Sequence, residues 1–209
     1  MQRDWMLKLR HSLHAQVRRL SSDTRGMVAV EFVLTLPLML MIFFGTIQVS
    51  TAVAVDRKVS IAARTLSDLI SQALATGVSD TDFANAFGLT TAILSPYANA
   101  PLQAIITEVY IAPTTLTATV IWSKATTNAT AHARDSTVTT LVPAALRVGG
   151  TYLIMSEVTY NYQPIVGYDI KLGFASASFT LSDSMFTRPR QNACVLYPAA
   201  TTTSPCPTS

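Results

Sequence analysis

The chain has 209 residues, 49% of them hydrophobic and only 13% charged, a balance shifted away from an ordinary soluble protein and towards one that meets lipid. Its net charge of +3 hides an asymmetry: before residue 27, Arg3, Lys8, Arg10, Arg18, Arg19 and Arg25 stand against Asp4 and Asp23, leaving the rest of the chain close to neutral. The later basic residues are scattered singly and are not interleaved with aromatics along one element, which argues against a nucleic-acid partner.

Residues 1–26 read as a basic cytoplasmic leader. Behind them the stretch Phe32–Val55 runs 24 residues without a charge, longer than the roughly 20 needed to cross a bilayer core as a helix. Lys and Arg concentrated before the span place the N-terminus in the cytoplasm and the bulk of the chain outside. A transmembrane helix over 27–55 is therefore expected. Three readings of it remain. A cleavable secretory signal could use Ala52 and Ala54 as its small-residue site, but the apolar run is long for one and cutting there would divide a helix. A plain anchor accounts for span and orientation, and leaves Glu31 as an interfacial acid in the first turns of the helix. Deep in lipid that carboxylate would cost about 2.5 to 3.5 kcal/mol.

The third reading rests on the neighbours of Glu31. In "RGMVAVEF" a glycine, Gly26, directly precedes the apolar run, and Glu31 is the fifth residue counting from Met27. This resembles the processing site of type IV pilin-like proteins, in which a membrane peptidase cuts after the glycine. The resemblance implies a cut between Gly26 and Met27. Glycine suits such a site because it carries no Cβ to hinder an extended backbone. The longer run "RGMVAVEFVLTLPLMLMIFFGTIQ" is similar to the opening of TadE-like proteins of the tight-adherence (Tad, type IVc) pilus system, with Gly26, Ala29, Val30, Glu31, Phe32, Pro37 and Gly45 as the matching residues. "LVPAALRVGGTYLIMSEVTYNYQPIVG" and "TLSDSMFTRPR" resemble that family's closing region, so the likeness covers about 24–75 and 141–190. Gln48 departs from it, since many members carry a second glutamate there.

The resemblance implies a minor pilin or pseudopilin acting at initiation or at the tip of a Tad pilus used in adhesion. It implies a prepilin peptidase, other Tad pilins and pseudopilins, the inner-membrane Tad assembly platform and membrane lipid as partners, and no cofactor. It also implies the bacterial inner membrane as location, with a periplasmic head that can reach the cell surface. Cleavage would give Met27 a free amine, and Glu31 of a neighbouring subunit is its natural counter-ion. Pro37 and Gly45 would kink the helix or let another helix approach, although both are common in any membrane helix.

Beyond the span, Val55, Val59, Ile61, Ala62, Leu66, Leu69, Ile70, Ala73 and Leu74 recur at spacings of three and four, predicting that the helix continues to about Thr76, with Gly77 as its stop. Ser79 or Asp80 caps a second helix that buries Phe83, Phe87, Ile93 and Leu94. "QAIITEVYIA" and "LTATVIWSK" predict a hairpin across Pro113, with Leu116, Ala118, Val120 and Trp122 on one face. A polar loop and a short helical turn near Ala144–Val148 follow. "TYLIMSEVTYNYQP" and "DIKLGFASASFTLS" supply two more strands around a turn near Gly167, with Tyr152, Tyr160, Tyr162 and Phe174 as packing residues. The expected fold is α+β, type IV pilin-like: a long helix packed on a small antiparallel sheet, the head covering 56–190.

Residues 191–209 form a Pro- and Thr-rich tail holding Cys194 and Cys206, which outside the cytoplasm would pair, or else remain two thiols. A disulfide-bounded C-terminal loop also matches what the pilin resemblance implies. Neither a zinc site nor any other metal site is expected from two cysteines without a nearby histidine. His11, His14 and His132 lie where no nucleophile and acid join them, and Asp80 with Asp82, or Glu157 with Asp169, read as separate surface carboxylates rather than catalytic pairs. The chain reads as the substrate of an enzyme, not an enzyme. The alternatives to a pilin are a bitopic, membrane-anchored periplasmic binding or adhesion module that is never cut, and a secreted β-rich protein starting at Val55.

Overall fold

The computed structural model describes residues 25–74, 76–97, 102–163, 178–199 and 206. In chain order the elements are helix α1 (Arg25–Ser71), helix α2 (Asp80–Leu94), strands β1 (Gln103–Ile111) and β2 (Ala118–Ala125), a 3-10 turn (Ala144–Leu146), and strands β3 (Tyr152–Tyr162) and β4 (Phe179–Thr187). The α+β class with one long apolar helix is thus observed. The chain forms two compact units, 1–49 and 50–209. In the first, residues 26–49 of α1 are exposed on every side except at Gln48, which is half-buried.

The second unit is built on a four-stranded antiparallel sheet in the order β2-β1-β3-β4. One face packs on residues 50–71 of α1. Val55, Val59, Ala62, Ala63, Leu66 and Ile70 are buried there, together with Ser67 and Ser71. That spacing is one stripe of a 3.6-residue helix, and its small members bring the backbone close to the sheet. Ser156 on β3 donates its hydroxyl to the Ala63 carbonyl at 2.7 Å, and the Ser67 and Thr187 hydroxyls meet at 2.6 Å. Ile61, Leu69 and Leu74 were expected on this face and lie off it, exposed to 53%, 37% and 70%.

The helix also stops short of Thr76. Its last residue is Ser71, whose carbonyl accepts from the Arg190 backbone amide at 2.9 Å, while Gln72 and Ala73 turn back onto Leu69 and Ile70. Gly77 serves a later turn: its φ of +84° is open to glycine, and a Cβ there would fall 2.2 Å from the Leu196 carbonyl oxygen. Ser79 then caps α2 in a reciprocal box with Asp82, and Phe83, Ala86, Thr90 and Leu94 form the buried side. Phe87 and Ile93 are only partly buried against the same core.

The hairpin β1–β2 forms as expected, with a difference in facing. Glu108 pairs with Trp122 and Val109 with Val120, so Ile121 is an extra residue in β2. The bulge turns Ile121 and Trp122 together towards the helix side, while Ala118 and Val120 face away. Leu116 belongs to neither face. It occupies the turn at φ +53° and is exposed.

The opposite face of the sheet has its own core of Val109, Ile111, Ala118, Val120, Leu153 and Met155, closed by Val138 and Val142 from the polar stretch after β2. That stretch folds back along β2: Val120 N–H donates to Ser136 O, Asp135 N–H to Val120 O, and Val138 N–H to Ala118 O, all within 2.9 Å. Tyr152, Tyr160 and Tyr162 are buried. Phe174, Asp169, the turn near Gly167 and most of the expected fourth strand lie outside the described residues, and β4 itself is found later, at Phe179–Thr187. The leader up to residue 24 also lies outside them.

Candidate functional site: the head of the apolar helix

Gly26 and Met27 sit in the first turn of α1 and Glu31 in the second. The dipole favours acids within the first turn, so in the intact chain Glu31 gains little from it. Met27 and Phe32 are exposed to 67% and 60%. Among the described residues Glu31 has no ion-pair partner, and around it Val28, Val30, Val33 and Leu34 are all exposed and apolar.

Pro37 lies inside the helix. Lacking an amide hydrogen, it leaves the carbonyl four residues earlier without its usual donor. Just before it, Thr35 turns its hydroxyl back to the Glu31 carbonyl at 2.9 Å, and Thr46 does the same to Ile42 at 2.8 Å, so both hydroxyls are satisfied inside an apolar surround. Among the described residues, and apart from the helix's own backbone, no atom stands within 4 Å of where a Cβ would sit at Gly26 or Gly45. Both positions are open to the close approach of another backbone. Gln48 lies on the same helix, three residues beyond Gly45.

The cysteines meet: Cys194 and Cys206 form a disulfide with Cα atoms 5.7 Å apart. The expected tail is not peripheral at this point, because Cys194 and Val195 are buried in the helix-side core. Val195 N–H donates to Glu108 Oε1 at 2.6 Å, Trp122 Nε1–H donates to the Val195 carbonyl at 2.7 Å, and Val78 N–H donates to the Leu196 carbonyl at 2.9 Å. Tyr197 donates to Asp80 Oδ1 at 2.8 Å and lies under the Lys124 ammonium, 4.6 Å from its ring centre. Lys124 pairs with the same Asp80 oxygen at 2.8 Å and holds that carboxyl below its usual range.

Glu108 is the residue that sequence reasoning missed. It is fully buried, its Oε2 has no hydrogen-bond partner among the described residues, and burial pushes its pKa up to about 8 against the pull of the Val195 amide and Trp122. A charged residue inside an otherwise apolar strand was the available signal. The acids weighed for catalysis are engaged elsewhere. Asp82 is held low by the Ser79 hydroxyl and amide it caps, and Glu157 meets His132 Nε2 at 2.6 Å, a contact the sequence did not suggest. The cleft between the end of α1 and α2 is lined by Leu69, Ala73, Leu74, Val78 and Leu89, with Asp82 as its carboxylate. Among the described residues no group of three or more His, Cys, Asp or Glu side chains could hold a metal ion.

An apolar helix long enough to cross a membrane, leading into an α+β domain, defines a protein compatible with single-pass membrane anchoring. Residues 26–67 match the family model described as TadE-like protein, consistent with a TadE-like protein of the Tad pilus system. The match opens on Gly26 and ends within α1, so it takes in Glu31, Pro37 and Gly45 but none of the sheet. No curated protein and no solved structure matches the chain.

Proposed function

We propose that this chain is a minor pilin or pseudopilin of a Tad pilus, cut by a prepilin peptidase between Gly26 and Met27 and acting at initiation or at the tip of the filament. The observation that carries the reading is the glycine-to-glutamate spacing at the head of an exposed apolar helix, inside the segment that matches TadE-like proteins. An exposed helix end can unwind its first turn into a peptidase cleft at small cost. After cleavage Glu31 becomes the fifth residue of the mature helix, a rise of about 6 Å from the new amine. Two unlike charges at about 4 Å attract by about 4 kcal/mol at an effective dielectric of 20. This offsets much of the desolvation that either would suffer alone in lipid. The acid therefore favours the amine of an adjacent subunit over plain hydrocarbon.

In this reading the partners are the peptidase, the other Tad pilins and pseudopilins, and the inner-membrane assembly platform. The head is periplasmic until assembly, and the protein is a substrate of processing rather than an enzyme. N-terminal sequencing of the protein extracted from membranes tests it. A start at Met27 is expected. An intact leader would leave a tethered periplasmic binding or adhesion module, and a start at Val55 a secreted protein.

A further inference from the structure

The function proposed above makes no use of Glu108 or of the segment that closes over it. Cys194–Tyr197 runs across β1, β2 and the start of α2, attached at Glu108, Trp122, Val78 and Asp80. Under it lies a carboxyl with one oxygen bonded to the Val195 amide and the other without a partner among the described residues. We propose that Cys194–Tyr197 is a strap that stays seated while Glu108 carries a proton and lifts from β1 and β2 once that proton is lost.

The geometry allows little else. A buried carboxylate needs several donors or a cation to hold its charge; here the Val195 amide bonds it, and the nearby Trp122 N–H is committed to the Val195 carbonyl. Among the described residues, the groups facing Glu108 offer no cation. Trp122 on β2 does not ionise. Tyr110 on β1 and Tyr152 on β3 have their rings 4.9 Å apart, and burial first, then Tyr110 and Glu108, pushes the Tyr152 phenol above its ordinary value. On the strap itself Tyr197 faces Asp80 of α2 and Lys124 of β2, whose charges cancel one another. Ionised Glu108 must therefore reach water, and the strap is the element hydrogen-bonded over it. Lifting would also uncover the rings of Phe83 and Trp122, which Tyr197 approaches at 5.3 and 6.0 Å.

The sign follows from the raised pKa of about 8 in the seated form. The seated form holds its proton more tightly than a solvated glutamic acid does. Seating is thus strongest below the ordinary carboxyl range, weakens about tenfold per pH unit from about pH 5, and levels off above about pH 8.

Hydrogen exchange of the full chain in detergent micelles, read by segment from pH 5 to 9 and corrected for the intrinsic rise in rate, tests the proposal. Protection over 194–197 should fall by about a hundredfold or more while that over β3 holds. Glu108→Gln, neutral at every pH, should keep the strap protected throughout. A pH-independent profile in the native chain, an unchanged profile in Glu108→Gln, or equal loss over β3 would each overturn the strap. Should Glu108→Gln fail to fold, carbon-13 titration of the Glu108 carboxyl in the native chain decides: its midpoint must lie above the ordinary carboxyl range and inside the pH span over which protection is lost, and an ordinary midpoint overturns the strap.

Discussion

Glu108 and Trp122 stand opposite each other on β1 and β2, at the last pair before the β2 bulge, and both bond the same residue of the C-terminal segment: Glu108 takes the Val195 amide and Trp122 donates to the Val195 carbonyl. The extra residue Ile121 is what turns Trp122 to the helix side, so the bulge and the docking of Val195 are one arrangement. Trp122→Phe keeps the ring among Phe83 and Tyr197 but removes the N–H, leaving a buried carbonyl unpaired. It should lower stability by about 1–3 kcal/mol, read by chemical denaturation in micelles.

Gly77 gives a second measure of the same docking. At φ +84°, with the Leu196 carbonyl oxygen 2.2 Å from where a Cβ would sit, Gly77→Ala meets both backbone strain and backbone atoms that cannot turn aside. Gly150 has a similar φ of +74° and open space around it. Gly150→Ala should cost about 1–2 kcal/mol from its left-handed backbone alone, and Gly77→Ala clearly more, as the difference between their thermal midpoints.

Leu66 and Ile61 carry the same apolar label in the sequence but not the same burden. Leu66 is fully buried against the sheet and Ile61 is 53% exposed. Leu66→Ala should lose about 2–5 kcal/mol through lost burial and the cavity it leaves. Ile61→Ala should stay within about 0.5 kcal/mol. Parallel denaturation curves of the two variants check this.

These contrasts mark where sequence reading was sufficient. The α2 cap, the hairpin and the helical stripe depend on residues a few positions apart, and local spacing revealed them. The end of α1 did not follow local rules, because the carbonyl of Ser71 is taken by the amide of Arg190, far along the chain. The facing of Trp122 was misread for a related reason: a bulge is fixed by the partner strand, not by the alternation within "TATVIWSK". Glu108 looked like any strand acid until residue 195 was placed on it. The likeness to TadE-like proteins was legible because the residues that carry it, from Gly26 to Gly45, lie in consecutive turns.

The two cysteines of the Pro- and Thr-rich tail form the disulfide, and Cys194 lies in the core. Replacing both cysteines by serine should therefore lower the stability of the 50–209 unit, by about 3 kcal/mol from the opened loop and somewhat more from a hydroxyl in the place of the Cys194 sulfur. Denaturation of the native chain with and without reductant gives the first part, and the double serine variant the sum.

The most demanding test falls on Glu31. If its carboxylate serves as counter-ion to the amine of a neighbouring subunit, Glu31→Ala should still insert and still be cut after Gly26, since neither step uses the charge. It should then fail to co-purify with partner pilins. Glu31→Gln keeps the size and a hydrogen-bonding end but not the charge, and should fail in the same way. An acid that merely sat at the lipid interface would behave otherwise, because removing it would ease insertion and leave assembly intact. Processing efficiency and pilin co-purification, measured on the same membranes, separate the two: cut but unassembled for a counter-ion, cut and assembled for an interfacial bystander.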